Sequence, residues 1–452
     1  MGSSVAKSHS TETLVFADKD HDFRIPALLY VKEWSTFLAF AEKRASSKDE
    51  HAENLVMRKG SRQPDGSVQW SPTEDLMKAS IVGFRTMNPC PVLERNSGTL
   101  FLFFICLKGN TLECMLRPGQ TRLCYVTSGD RGLTWSDLTD LTASVMDSAF
   151  SQYQTFAVGP GHALQLASGA LLVPAYVKLV EGRGCCRGGG GCVSTHSVVL
   201  RSQDGGCTWH AGQPLAMETG ECQLAQVRDG AGGTQVYMNA RSTGEWRVEA
   251  LSSDGGESFR PLSLTTLPEV GKGCQGSVLS FPATELPAGG GAFSERGAGG
   301  GAFSQRGAGG GASSERGAGG GVSSERGAGG GTRGAGGGAS SERGSGGGAS
   351  SERGSGGGVS SERGAGGGAS SERGAGGQGW DRLELGLYLT RCVQDPVPWG
   401  EPHIAHSGRS GYSDLARCEE EGRFACLMEC GEGERLRMVF REFDLTEISH
   451  TV

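Results

Sequence analysis

The 452-residue chain lacks what a membrane span, a nucleic-acid surface or a helical fold would need. No apolar core follows Met1-Gly2-Ser3-Ser4-Val5-Ala6-Lys7, so a secretory signal is not expected. Gly2 is present, but Ala6 stands where a myristoylation signal needs Ser or Thr. The longest apolar run, Leu100–Leu107, is much too short to cross a bilayer. A formal net charge of −7 leaves no basic footprint and argues against nucleic acid as a partner. Mild acidity still admits an anionic ligand, provided cations are gathered inside a site. Fourteen cysteines without a signal point to reduced thiols rather than a disulfide framework. The expected location is therefore cytoplasmic, or peripheral on the plasma membrane or an internal membrane.

Glycine is plentiful, with 77 residues, most of the excess lying in one stretch. From about 288 to 377 the chain repeats Gly-Ala-Gly-Gly-Gly-Ala-Ser-Ser-Glu-Arg with small variations. Such a segment has too little apolar surface to offset its ordering entropy and is expected to be disordered. As a flexible coil it would spread over roughly 50 Å, ample for a surface loop. Gly329, Gly331 and Gly334 formally match G-x-G-x-x-G, but no strand precedes them and no helix follows, which removes the dinucleotide reading. The flanking portions, 1–287 and 378–452, are expected to form one domain interrupted by this insertion.

Outside the repeat, short β-rich runs recur between Gly, Asp, Ser and Pro, and a long 3.6-residue apolar period is almost absent. Thr99–Cys106, Arg122–Thr127, Leu171–Val177, Ser197–Arg201, Thr234–Asn239 and Leu383–Leu389 are examples. Three segments share Ser-x-Asp-x-Gly-x-x-aromatic: Ser128–Trp135, Ser202–Trp209 and Ser252–Phe259. The Asp can accept hydrogen bonds from the turn's own backbone, the Gly can take positive φ, and the aromatic can pack beneath. One Asp per copy is too few for a calcium loop. Three copies at intervals of tens of residues suggest a repeated supersecondary unit, as in propeller blades.

These turns resemble the Asp-boxes of sialidases, which lie on the rim of a six-bladed β-propeller. Phe23-Arg24-Ile25-Pro26 resembles that family's Phe-Arg-Ile-Pro motif. Further stretches carry the likeness over nearly all of the chain outside the repeat. They include Thr86-Met87-Asn88-Pro89-Cys90-Pro91, Val158-Gly159-Pro160-Gly161-His162, Gly220-Glu221-Cys222-Gln223, Asn239-Ala240-Arg241-Ser242, Gly273-Cys274-Gln275-Gly276-Ser277 and Gly411-Tyr412-Ser413-Asp414. The chain is similar to the vertebrate exo-α-sialidases (neuraminidases), nearest the plasma-membrane members that act on gangliosides. The resemblance implies an all-β fold: a six-bladed propeller with Asp-box turns, interrupted by the Gly/Ser-rich repeat.

It also implies a retaining glycosidase. Sialic acid carries a carboxylate on its anomeric carbon, which would repel an anionic nucleophile, and sialidases are the tyrosine exception among glycosidases. By resemblance Tyr412 is the nucleophile, Glu221 its base, and Asp49 the acid that later activates water. Arg24, Arg241 and Arg382 would grip the substrate carboxylate with their planar forks. Glu429 resembles the acid that orients the first arginine, and Glu42, Arg44, Met87, Asn88 and Tyr176 resemble pocket residues. Taken singly, an Arg in a β-rich protein ordinarily makes a surface ion pair and a Tyr ordinarily packs with its hydroxyl bonded. Their joint occurrence in the family's order favours catalysis.

Two departures stand out. The family's Leu-Tyr-Ser-His-Pro-like strand is absent before Arg382, so that blade lacks a strand or has it replaced. Lys178 stands where a second tyrosine is usual after Tyr176, a change expected to alter preference for the glycerol tail or aglycone. Cys185, Cys186, Cys192 and His196 lack the spacing of a zinc site, and no metal or organic cofactor is expected. Cys185 and Cys186 are candidates for acylation. The expected substrates are sialylated glycolipids such as gangliosides, with sialoglycoproteins and oligosaccharides as further candidates. The rival readings are a sialic-acid-binding propeller without turnover and a scaffold for protein partners. Neither needs a nucleophile, base and acid together.

Overall fold

The computed structural model describes residues 12–150, 152–180, 193–228, 233–271, 273–282, 382–390, 393, 399–420, 422–432 and 435–448, with short strands at Gly301–Arg306, Val359–Ser360 and Ser370–Ser371. Apolar runs broken by Gly, Asp and Ser turns fold back on their neighbours, so the sheets are antiparallel and locally connected. The first contains Asp22–Val31, Thr36–Arg44, Ala52–Arg62 and Val68–Trp70, with Glu74–Asp75 also on the third strand. The second contains Phe84–Glu94, Thr99–Lys108, Thr121–Ser128 and Thr139–Asp140. The third contains Tyr153–Val158, Leu171–Val180 with Leu164–Gln165, Val193–Ser202 and His210–Ala211. The fourth contains Cys222–Arg228, Thr234–Ala240, Val248–Ser252 and Arg260–Pro261. All six strand runs expected from the sequence lie within these and later strands. This is an all-β propeller.

Where six blades were expected, five large sheets are present, because the 15-residue strand His403–Arg417 joins two groups. Its first half pairs with Leu383–Thr390 and its second with Arg423–Glu432. The resulting seven-stranded sheet runs from Gly276–Phe281 to Thr13–Phe16. The latter pairs with Arg435–Asp444, so the first described strand is tied to the last. Gly301–Arg306, from within the glycine repeat, pairs between Gly276–Phe281 and Leu383–Thr390, where the family's usual strand is missing. Apart from that and two short strands, the repeat lies outside the described residues, as do Cys185, Cys186 and Cys192.

The core is divided among the seams between successive sheets. Phe103 and Phe156 belong to the cluster between the second and third sheets; Phe40, Leu55 and Phe104 lie between the first and second. Fully burying one such side chain contributes about 2–3 kcal/mol. The Asp-box turns lock this arrangement from one end. In Ser202–Trp209, the Asp204 carboxylate accepts from Ser202 Oγ (2.7 Å), Thr208 N (2.9 Å) and Thr208 Oγ1 (2.6 Å), and Gly206 N donates to Ser202 Oγ (2.8 Å). Asp130 and Asp254 repeat the pattern. Hydrogen bonds from Thr134 and Ser128 hold the half-buried Asp130 carboxyl well below the usual range. Trp209 stands edge-on to Phe103 of the preceding sheet, with centroids 4.8 Å apart. Gly206 has φ +93°, and a Cβ there would run into the Phe101 ring, so glycine is required twice over.

Candidate active site

Each sheet's first strand begins at the end opposite the Asp-boxes, and its second strand returns there. Side chains at those termini therefore converge on the central axis. They line a pocket of about 460 Å³. Arg24 comes from the start of the first sheet, Arg44 from the end of its second strand, and Asp49 from the following turn. Glu221, Arg241, Arg382 and Tyr412 arrive from the fourth and seven-stranded sheets.

At its centre the Tyr412 hydroxyl donates to Glu221 Oε1 at 2.5 Å. Arg241 Nη1 donates to the Tyr412 oxygen at 3.0 Å and to Glu221 Oε2 at 2.6 Å. Burial and the adjacent Glu221 carboxylate push the tyrosine well up, opposed by Arg241 and Arg382. Burial alone would raise Glu221, but Arg241 and the hydrogen bond from Tyr412 prevail and hold it below the usual range. The Arg382 and Arg24 guanidinium carbons stand 5.3 and 5.5 Å from the Tyr412 ring centroid. Arg382 donates to Gly273 O at 3.0 Å, so the missing family strand does not remove it from the cluster.

Two buried carboxylates brace this wall from behind. Glu429 accepts from Arg24 Nε (3.1 Å), Ile25 N (2.8 Å) and Tyr412 N (3.2 Å). It thereby fixes the arginine and the tyrosine backbone with one side chain. The bulge carrying Ile25 has φ +61°, a strained value for a β-branched residue, costing about 1–3 kcal/mol. Glu42 accepts from Arg44 Nε (2.8 Å) and from Asn88 N (2.7 Å), and burial holds its carboxyl above the usual range despite Arg44. Asp49 accepts from Arg44 at 2.6 Å and Arg24 at 3.4 Å. Desolvation by its neighbours would raise Asp49, but the two arginines outweigh it and hold it low.

Of the residues expected from sequence, Arg24, Arg44, Asp49, Met87, Asn88, Tyr176, Glu221, Arg241, Arg382 and Tyr412 line the pocket. Glu42 and Glu429 stand behind it, bonded to Arg44 and Arg24. Among the pocket residues that carried no sequence signal are Glu113 and Arg85. Glu113, on the turn Glu113–Met115, accepts from Tyr176 Oη at 3.0 Å and pairs with Lys178 Nζ at 3.1 Å. Lys178 is thus part of the pocket mouth, in the place of the usual second tyrosine. Arg85 is buried and tethers the Glu113 loop through the carbonyls of Gly109 (2.5 Å) and Thr111 (2.8 Å). A charged residue in an ordinary strand or loop gives no local sign that it faces a pocket.

Beneath the pocket, the quoted motifs knot together. Asp414 accepts from Leu28 N (2.8 Å) and Ser277 Oγ (2.8 Å) and pairs with His162 Nδ1 (2.8 Å). Gln223 and Gln275 both donate to Pro160 O, at 2.8 and 3.3 Å. Buried polar groups without such partners would each cost about 1–3 kcal/mol.

A family model described as a BNR repeat-like domain matches residues 35–281. Sialidase-3 of Bos taurus is 40% identical over 432 residues, covering 94% of this chain and 90% of the relative. Sialidase-4 of Mus musculus is 39% identical, covering 90% and 87%. Among solved structures, the Hadza microbial sialidase Hz136 superposes with a TM-score of 0.63 at 16% identity, covering 94% of this chain and 66% of that one. Trypanosoma rangeli sialidase gives 0.60 at 16% identity, covering 97% and 60%. These structural likenesses bear on the fold alone; the chain spans 66% and 60% of those two solved chains.

Proposed function

The chain belongs to the vertebrate sialidase family of glycoside hydrolases, and from that premise we propose a tyrosine-based, retaining hydrolysis of terminal α-linked sialic acid. The observation that carries this reading is the Tyr412–Glu221 hydrogen bond inside a ring of three arginines.

The substrate carboxylate would lie among Arg24, Arg241 and Arg382. Its charge offsets theirs, releasing Asp49 from part of the field that keeps it ionised, so Asp49 can take up a proton at mildly acidic pH. Tyr412 Oη then attacks the anomeric carbon and its proton passes to Glu221. The glycosidic bond breaks as Asp49 protonates the leaving oxygen. In the second half, Asp49 accepts a proton from water, whose oxygen attacks the same carbon. The Tyr412–sugar bond breaks and Glu221 returns the proton to Tyr412. Two displacements leave the configuration retained.

The same reading takes the seven-stranded sheet as two blades sharing His403–Arg417, making six. It takes 1–287 and 378–452 as one domain interrupted by 288–377. Gangliosides are the proposed substrates, supported by the likeness to Sialidase-3, and Glu113 with Lys178 would meet the far end of the sugar or its aglycone. No cofactor is required by this chemistry, and the proposed location is cytoplasmic with peripheral membrane contact. Among the described residues no helix is long and apolar enough to cross a membrane.

Release of a fluorescent aglycone from a soluble sialoside tests the reading. Tyr412→Phe is expected to lower kcat by about a thousandfold or more while sialoside binding persists. A wild type that binds sialosides without turnover would replace this mechanism with the lectin reading.

A further inference from the structure

The large apolar side chains left exposed are distributed unevenly between the two ends of the propeller. Nine are exposed among the described residues. Met77 and Val82 lie on the connection from the first sheet to the second, and Leu112 and Met115 on the loop carrying Glu113. Val193 begins the strand bearing the pocket residue Thr195, Met217 precedes the pocket residue Glu218, and Trp246 follows the pocket residue Thr243 by three positions. All seven stand at the pocket end, six on connections and Val193 at the start of a strand. Only Leu14 and Leu133 lie elsewhere, Leu133 within an Asp-box turn. Val82 is fully exposed, and its loop is tied to the Glu113 loop by Gly109 N donating to Gly83 O at 3.1 Å. A second cavity of about 530 Å³, walled by Pro118, Phe150, Tyr153, Val180, Asp147 and Gln152, adjoins Val193, which pairs with Val180.

Single exposed apolar residues are ordinary; seven on five segments around one opening are not. We infer that the pocket end of the propeller is a lipid-facing surface, whose loop tips enter the head-group layer of a bilayer around the sugar pocket. This rests on the glycolipid reading above: a sialylated head group projecting from a membrane can reach the pocket only if that end faces the lipid. A protein partner broad enough to cover all seven side chains would also cover the pocket mouth. A bilayer surface can meet the tips while its own head groups enter, and it needs no fixed complementary shape. Partial insertion of several apolar tips gives reversible attachment without an anchor.

Sedimentation with pure phosphatidylcholine vesicles tests this with the full chain. The triple variant Val82→Glu, Met115→Glu, Met217→Glu is expected to bind about tenfold more weakly than wild type. Its hydrolysis of a sialoglycolipid embedded in those vesicles should fall in parallel, with turnover of a soluble fluorescent sialoside unchanged. Leu133→Glu, at the other end, should leave all three measurements unchanged. A wild type that ignores the vesicles, or equal losses from Leu133→Glu and the triple variant, overturns the inference. Because vesicle binding is read without turnover, an inactive wild type would end the catalytic reading and leave the lipid surface to be judged on binding.

Discussion

The two ends of the propeller are made by opposite strategies. At the Asp-box end, each turn is self-contained: Asp204 finds every partner named for it between Ser202 and Thr208. At the pocket end, Arg24 meets Glu429 across 405 positions and Tyr412 meets Glu221 across 191. The first end secures geometry locally and is repeated; the second occurs once and depends on every sheet being in place. Stability and chemistry are thus separable along the axis, and mutation should separate them.

The largest effect is expected where one residue serves both. Glu429→Ala leaves the buried Arg24 with the more distant Asp49 carboxylate and removes the acceptor for Ile25 N and Tyr412 N. The expected cost is about 3–5 kcal/mol by urea unfolding, with kcat/KM down by about a hundredfold or more. Wild-type stability in this variant would mean that the brace is not what holds the pocket wall.

Asp204→Ala should touch only the other end. Losing the Ser202 and Thr208 hydrogen bonds is expected to cost about 1–2 kcal/mol. The KM for a soluble sialoside should stay within about twofold. A selective rise in KM without loss of stability would break the separation.

The smallest effect concerns the buried layer between the ends. Burial would lower His162, but the Asp414 carboxylate prevails and raises it above its ordinary value of 6.5. A raised folded value means the imidazolium's contribution is fully present below the unfolded pKa and is lost as pH rises through the folded one. Melting temperature should therefore decline from about pH 6 upward more steeply in wild type than in His162→Gln. Identical slopes would place the wild-type dependence on other groups.

Much of this was legible from residues alone, at the end where interactions are local. Ser-x-Asp-x-Gly-x-x-aromatic specifies its own hydrogen bonds, and each copy forms them. Pocket residues such as Arg24 and Tyr412 were accessible only because they sit in motifs resembling a known family's. Glu113 and Arg85 sit in no such motif and were missed. The joining of two strand groups into one sheet also escaped the sequence, since nothing in His403–Arg417 reveals that its two halves pair with different neighbours. Nor did the gap before Arg382 reveal that Gly301–Arg306 would pair there.

The sequence by itself determined the short β-rich runs, the turns between them and the residue types available for chemistry, because these depend on neighbours a few positions away. The tertiary structure alone decided which charges meet. Asp49 and Glu42 are both carboxylates beside Arg44, yet one is held low and the other raised. Asp49 shares a second arginine at the open pocket, whereas Glu42 is fully buried behind it, and burial penalises its ionised form more than Arg44 relieves it. That difference is set by depth and by the distant partners that closing the propeller brings together.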